Sequence, residues 1–377
     1  MSALGARTAA AVALAAALLL AGCFGGQKRS EWAYDDIQVD ELAKDGRTGQ
    51  GVVIAVLDTG IDVDHPSLDH LVDGDPGDGE LIAFRDYIEP AVGVEHARDP
   101  DGHGSHVIGI MSARGSSGSD KVLYGGIDLK GAAPQAQLVV ARVCSGTSCD
   151  VIALPQAVRW AVEQGADVIS LSLGGSSGLP PVVDQVVQDD LELAIELAID
   201  QGVVVVAAAG NEGRRCPEDA GPQPGGDVSS PANIPHVIAV GATDKAGKVW
   251  CGSSRGEDGG LNECRDLGIP LLPIPDIGRC DPHRKPELVA PGVEILSAWA
   301  GGEYGWATGT SQAVPFVSAS VALMLQGRGD LAGRADVVAV KQALVDSAQP
   351  IEGQALPHDE AAGYGLLQAA AAVRAYT

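Results

Sequence analysis

From residue 51 onward the chain alternates between two hydrophobic rhythms. Short, mainly apolar runs rich in Val and Ile fall at 51–57, 137–143, 168–173, 203–208 and 237–240. Runs of that length and composition predict strands buried on both faces. Longer stretches at 153–164, 191–201 and 312–326 have the length and composition of helices. Strand and helix in alternation predict an α/β fold of three layers, a mostly parallel central sheet with helices on both faces. Residues 214–228 and 252–284 break the rhythm; they are rich in Gly, Pro, Asp and Cys and are expected as long surface loops. No internal repeat, heptad pattern or second apolar span of membrane length interrupts this order.

The N-terminus follows a different pattern. Arg7 precedes a short apolar run over 8–20 that closes with Leu20-Ala21-Gly22-Cys23. A basic start, an apolar centre too short to span a bilayer and small closing residues predict an export signal over 1–22. Leu-Ala-Gly-Cys resembles a bacterial lipobox, which implies cleavage before Cys23 and diacylation of its sulfur. The chain is then expected at a bacterial cell envelope, periplasmic or outward-facing and held to the membrane through Cys23. Residues 23–36 read as lipid anchor and tether, and 37–377 as one domain, the fold beginning at the strand over 51–57. An ordinary signal peptide with an incidental cysteine is the alternative.

Charge and cysteine content narrow the function classes. Fifty acidic against 25 basic residues give a formal net charge of −25. Such a surface repels nucleic acid and anionic lipid, so neither is an expected partner. Beyond Cys23, six cysteines remain: Cys144, Cys149, Cys216, Cys251, Cys264 and Cys280. An even number in an exported chain predicts disulfides. Cys144 with Cys149 would close a small loop; Cys264 with Cys280, and Cys216 with Cys251, are the pairings expected for the rest. The absence of a Cys-x-x-Cys spacing argues against a zinc site.

Three motifs carry chemistry. In Val53-Ile54-Ala55-Val56-Leu57-Asp58-Thr59-Gly60 an apolar strand ends in a carboxylate, where open α/β sheets collect their active groups. Asp58 there fits a cap, a metal ligand or an orienting acid. In Asp101-Gly102-His103-Gly104-Ser105-His106 two glycines leave an imidazole exposed at the start of an amphipathic helical run. His103 suits a general base, while His103 with His106 is half of a metal site that lacks the Glu of His-Glu-x-x-His. His106 is expected as a packed structural residue. In Gly309-Thr310-Ser311-Gln312-Ala313-Val314-Pro315 a serine opens a helix, ordinarily as a cap. A hydroxyl becomes a nucleophile only when a base takes its proton and a carboxylate fixes that base. Asp58, His103 and Ser311 supply the three roles.

The order Asp, His, Ser, with Asp-Thr-Gly, His-Gly-Ser-His and Gly-Thr-Ser-Gln-Ala, resembles the subtilisin (subtilase) family of serine peptidases. Ser170-Leu171-Ser172-Leu173-Gly174-Gly175, Ala207-Ala208-Ala209-Gly210-Asn211-Glu212-Gly213, Ser230-Pro231-Ala232 and Pro286-Glu287-Leu288-Val289-Ala290-Pro291-Gly292 resemble further blocks in the family's order. The resemblance implies a subtilisin-like fold and endopeptidase action on proteins or peptides through an acyl-enzyme. It implies Asn211 as the oxyanion-hole side chain, and Ser172, Leu173, Gly174, Ala207, Ala208 and Ala209 as lining for substrate. It implies no cofactor for the chemistry and a structural calcium in some members.

The chain departs from the family in four places. Gln312 stands where members usually carry Met, and Ser105 where they carry Thr. Ser67 follows His65-Pro66 where an acidic calcium ligand is common, which weakens that site; Asp62, Asp64 and Asp99 are other acids suited to calcium, with solvated charge as the favoured reading. The stretch after Cys23 is too short for a folding propeptide, so a separate inhibitor or chaperone is a possible partner. Two other function classes compete: a binding lipoprotein that keeps the fold without activity, and a metallohydrolase using His103 and His106.

Overall fold

The computed structural model describes residues 30–74, 79–115, 127–175, 179–213, 226–256 and 283–376. The expected signal over 1–22, Cys23, Cys216, Cys264 and Cys280, and most of the loops at 214–228 and 252–284, lie outside the described residues.

The Val- and Ile-rich runs become the inner strands of one sheet. In chain order the strands are β1 (Val53–Asp58), β2 (Leu81–Asp86), β3 (Ala91–Val92), β4 (Gln137–Arg142), β5 (Cys144–Ser145), β6 (Ser148–Cys149), β7 (Val168–Leu171), β8 (Val204–Ala208), β9 (Ile238–Thr243), β10 (Leu288–Pro291), β11 (Ile295–Trp299) and β12 (Glu303–Ala307). Eight of them form the sheet β10-β9-β8-β7-β1-β4-β2-β3, while β5–β6 and β11–β12 are separate hairpins. Every neighbouring pair in the large sheet is parallel except β2–β3. Strands β7 to β10 are buried at every position, as expected for strands covered on both faces.

The helices are α1 (Glu31–Asp36), α2 (Val39–Lys44), α3 (His103–Ser112), α4 (Leu154–Glu163), α5 (Pro181–Asp200), α6 (Thr310–Leu325), α7 (Arg334–Ser347) and α8 (Ala369–Tyr376). Helix α6 packs along β7, β8, β9 and β10; α4 packs on β1 and β4, beside α5 on β8. The result is the expected three-layer α/β arrangement. Helix α6 is apolar all round and runs through the interior. Ser311 is its only residue that is not buried.

Several expectations are corrected. The tether expected over 23–36 overlaps the packed body: Ala33, Tyr34 and Ile37 are 0–2 % exposed, so the fold does not begin at residue 51. Tyr34 meets Phe316 edge-on at 5.1 Å and its hydroxyl donates to the Ile110 carbonyl at 3.3 Å. Helix α5 starts at Pro181, ten residues before the expected 191; its buried face begins only at Leu191, and the acidic first half, with Val182 and Val186 exposed, carries no apolar stripe to mark it in sequence. Strand β7 stops at Leu171, not 173, which frees Ser172 and Leu173 for another task. Helix α3 is not amphipathic: every residue from Gly104 to Ser112 is buried.

Candidate active site

The sheet has one point where the chain reverses direction. From β1 the chain builds toward β4 and β2; from β7 it builds toward β8, β9 and β10, and β1 and β7 are neighbours. Ligands of open α/β sheets bind beyond the strand C-termini at such a switch point. Asp58 ends β1, and Ser172 is the first residue after β7.

Asp58 is 1 % exposed, and its Oδ1 accepts hydrogen bonds from the Thr59 N–H at 2.7 Å and from His103 Nδ1 at 2.7 Å. The carboxylate thereby fixes the imidazole with its proton on Nδ1, which leaves Nε2 as the basic atom. Asp58 Oδ2 is buried with no hydrogen-bond partner among the described residues, so its charge is not quenched locally. His103 is the first residue of α3, set there by Gly102 at φ 97°. A side chain at Gly102 would strike the Trp299 indole at 2.5 Å, so that glycine is required by both conformation and space. Burial pulls the His103 pKa down, but the Asp58 charge and hydrogen bond, with the Asp99 charge added, outweigh it and leave the pKa above the usual histidine value.

Ser311 sits in the first turn of α6, where backbone N–H groups have no acceptor within the helix. Its hydroxyl donates to the Ser172 carbonyl at 3.0 Å. Ser172 Oγ in turn donates to the Ser311 carbonyl at 2.8 Å. That second bond has a cause in sequence. The helical donor for the Ser311 carbonyl would be the N–H of residue 315, and Pro315 has none. Ser172 Oγ takes the place of the missing donor. Beside it, Asn211 Oδ1 accepts from the Thr310 N–H and the Thr310 hydroxyl, each at 3.0 Å. With its oxygen so held, the exposed Asn211 side chain presents Nδ2 as a donor.

Asp58, His103, Ser311 and Asn211 all line one open cleft of about 450 Å³. Ser172, Leu173, Gly174 and Ala208 line it too. Ala207 and Ala209 are fully buried and are not part of the cleft wall, because neighbours of Ala208 along an extended segment point to the opposite side. The far wall, which sequence reading did not reach, includes Gly146, Thr147, Cys149 and Trp299. Cys144 and Cys149 are joined in a disulfide that closes the β5–β6 hairpin at the cleft edge. Cys251 is also disulfide-bonded; its expected partner Cys216 lies outside the described residues.

The geometry removes His106 from the chemistry. Its Nε2 donates to the Ile295 and Gly305 carbonyls at 3.0 and 3.2 Å, and burial with the charge of His103 pushes its pKa down to about 4. His103 Nδ1 is taken by Asp58, and no group of three or more His, Cys, Asp or Glu side chains able to hold a metal ion occurs among the described residues, so a metal shared by His103 and His106 has no support in this geometry. At the expected calcium position, Ser67 is buried with its hydroxyl 3.0 Å from the Tyr304 hydroxyl, and its N–H donates to His65 Nδ1 at 3.0 Å. Asp62 Oδ2 accepts from the Gly301 and Gly302 N–H groups at 2.8 and 3.3 Å, which pins the tip of the β11–β12 hairpin. Gln312 is buried behind Ser311, 2 % exposed.

Comparison with known proteins agrees with this geometry. Residues 49–365 match the family described as the subtilase family. The chain is 32 % identical to the major intracellular serine protease of Bacillus subtilis (strain 168), over 76 % of this chain and 72 % of that protein. It is 31 % identical to subtilisin Savinase of Lederbergia lenta, over 78 % of this chain and 84 % of that protein. It is 29 % identical to subtilisin E of Bacillus subtilis (strain 168), and there the alignment spans 78 % of this chain and 60 % of the relative's length. By the extent of the family match and by these identities, the chain belongs to the subtilase family of serine endopeptidases.

Proposed function

We propose that this protein is a lipid-anchored endopeptidase of a bacterial cell envelope that hydrolyses protein or peptide substrates through an acyl-enzyme on Ser311. The observation that carries the reading is the 2.7 Å bond between His103 Nδ1 and a buried Asp58, in one cleft with Ser311 and Asn211. Substrate entering the cleft draws the Ser311 hydroxyl off the Ser172 carbonyl and onto His103 Nε2. His103 accepts the proton as Ser311 Oγ attacks the carbonyl carbon, and Asp58 holds the resulting imidazolium. Asn211 Nδ2 and the Ser311 N–H stabilise the oxyanion. His103 returns the proton to the leaving amine, and water then repeats the sequence on the acyl-enzyme.

A second cavity of about 180 Å³ shares Thr147, Cys149, Leu173 and Gly174 with the cleft and continues to Val187 and Leu191. That continuity supports an extended peptide as substrate. No cofactor takes part in these steps. The envelope location rests on the sequence over 1–23 alone, and a separate inhibitor or chaperone remains part of the proposal as a partner of the peptidase domain.

The test combines two readouts on the full chain produced in a bacterial host. Purified protein should cleave a denatured protein, and Ser311→Ala should not. Labelled fatty acid should enter the parent chain and not Cys23→Ala. Absence of cleavage by folded parent protein would remove the enzymatic reading, whereas unlabelled but active protein would remove only the anchor.

A further inference from the structure

Asp99 reads in sequence as a solvated acid or a calcium ligand, and in the structure it is neither. It is 5 % exposed, and both oxygens are filled. Oδ1 accepts from the Thr59 hydroxyl at 2.9 Å, the Gly102 N–H at 2.8 Å and the Asp101 N–H at 3.1 Å. Oδ2 accepts from the Ser105 N–H at 2.8 Å and the Ser105 hydroxyl at 2.7 Å. Five donors leave no room for a cation's shell of oxygen ligands.

Those donors come from two segments that must stay in register. Thr59 follows Asp58, while Gly102 and Ser105 bracket His103. The Thr59 hydroxyl accepts from the Gly104 N–H at 2.8 Å, and the Ser105 hydroxyl accepts from the Asp62 N–H at 2.9 Å, so two direct bonds tie the segments together, and the hydroxyl in each of them is held by donating to Asp99. The backbones touch: a side chain at Gly104 would lie 2.1 Å from the Gly60 carbonyl oxygen, and one at Gly60 would lie 2.0 Å from that of Arg98.

We propose that Asp99 is the positioning residue of the Asp58–His103 pair: its carboxylate locks the turn after Asp58 to the loop carrying His103 and adds a second buried negative charge beside the imidazole. This rests on the peptidase reading for its effect on turnover, but not for its effect on the ring itself. The charged or titratable groups around His103 are Asp58 from β1, Asp99 and Asp101 from its own loop, His106 one turn along α3, and Glu212 across the cleft. Of these, Asp58 and Asp99 both raise the imidazole's pKa.

The experiment uses the full chain in two backgrounds. In Ser311→Ala protein, the His103 ring is titrated by NMR with and without Asp99→Asn. The pKa is expected to fall in the variant, with the Nδ1 proton signal shifted or broadened. In active protein, Asp99→Asn is expected to lower kcat by about ten- to a hundredfold, the scale of a small misplacement of catalytic groups, with KM changed less than threefold and the acid limb of the kcat/KM profile moved to lower pH. Thr59→Val, which keeps the Asp99 charge but cuts the bridge to Gly104, should lower kcat and leave the acid limb in place. An unchanged His103 titration in folded Asp99→Asn protein would overturn the proposal, as would unchanged kcat in both variants. If Asp99→Asn does not fold, Thr59→Val decides: unchanged kcat there overturns the positioning role. Failure of the peptidase reading would show differently, as inactive parent protein with the NMR effect intact.

Discussion

The two halves of the active site are built to opposite specifications. The Asp58–His103 half is locked: a 2.7 Å bond, a buried acid and, through Asp99, five further hydrogen bonds hold base and carboxylate in one geometry. The Ser311 half is held in a resting position, its hydroxyl on the Ser172 carbonyl at 3.0 Å. The base must keep its tautomer throughout the cycle, so rigidity serves it. The nucleophile has only to rotate about one bond, while its backbone carbonyl is held by the Ser172 hydroxyl. The contrast separates what is preorganised from what substrate sets in motion.

The largest effect should come from breaking the locked half. His103→Ala is expected to lower kcat about 10⁴-fold or more, since a triad acts as a unit; comparable loss in Ser311→Ala, with no further loss in the double variant, would sharpen the point. Asn211→Ala should lower kcat by about 10²–10³-fold with little change in KM, a figure that comes from the same enzyme family. A mainly raised KM would instead make Asn211 a substrate-binding residue.

Acid stability should separate the buried rings from the catalytic one. His106 and His70 are buried, and burial pushes each pKa down to about 4, with nearby His103 and Arg114 charges acting in the same direction. The unfolded chain, with histidine near 6.5, therefore binds more protons as pH falls from about 6.5 toward 4. Stability should be full above that window and lost through it, by roughly 3 kcal/mol for each ring. His103, with its raised pKa, works in the opposite sense. Urea unfolding of Ser311→Ala protein between pH 7 and 4 measures the sum; an increase in stability toward acid would contradict the assignment of neutral rings.

The smallest effect tests the mobile half. Ser172→Ala should reduce stability by about 1–2 kcal/mol by orphaning the Ser311 carbonyl. In a Pro315→Ala background the restored N–H should remove most of that cost, giving a coupling of about 1 kcal/mol in a double-mutant cycle. Additive losses would mean that Ser172 does not stand in for the proline's missing donor.

The inner strands were legible because both faces are buried, which makes β1, β4, β7, β8 and β9 read as mainly apolar runs. Strand β2, Leu-Ile-Ala-Phe-Arg-Asp, was missed since its ends carry the buried Asp86 and its partner-rich surroundings, including Arg142 at 2.9 Å, which sequence reads as loop charge. The N-terminal helices were missed for the opposite reason: a few anchors, Tyr34, Ile37 and Leu42, dock a mostly polar segment. The triad residues were legible through their motifs. The partnership of Ser172 with Pro315 was present as a proline five residues into a helix, a signal that an orphaned carbonyl four residues earlier needs a donor. Asp99 was not legible, because a buried acid surrounded by Gly, Ser and Thr donors looks in sequence like any polar turn.

The central claim is that Asp58 and His103 activate Ser311. Labelling the full purified chain with a fluorophosphonate, beside Ser311→Ala and His103→Ala, and mapping the modified peptide by mass tests it most directly. The account predicts one label on the peptide carrying Ser311, absent from Ser311→Ala and strongly slowed in His103→Ala. Folded parent protein that stays unlabelled, or a label that persists without Ser311, would contradict it.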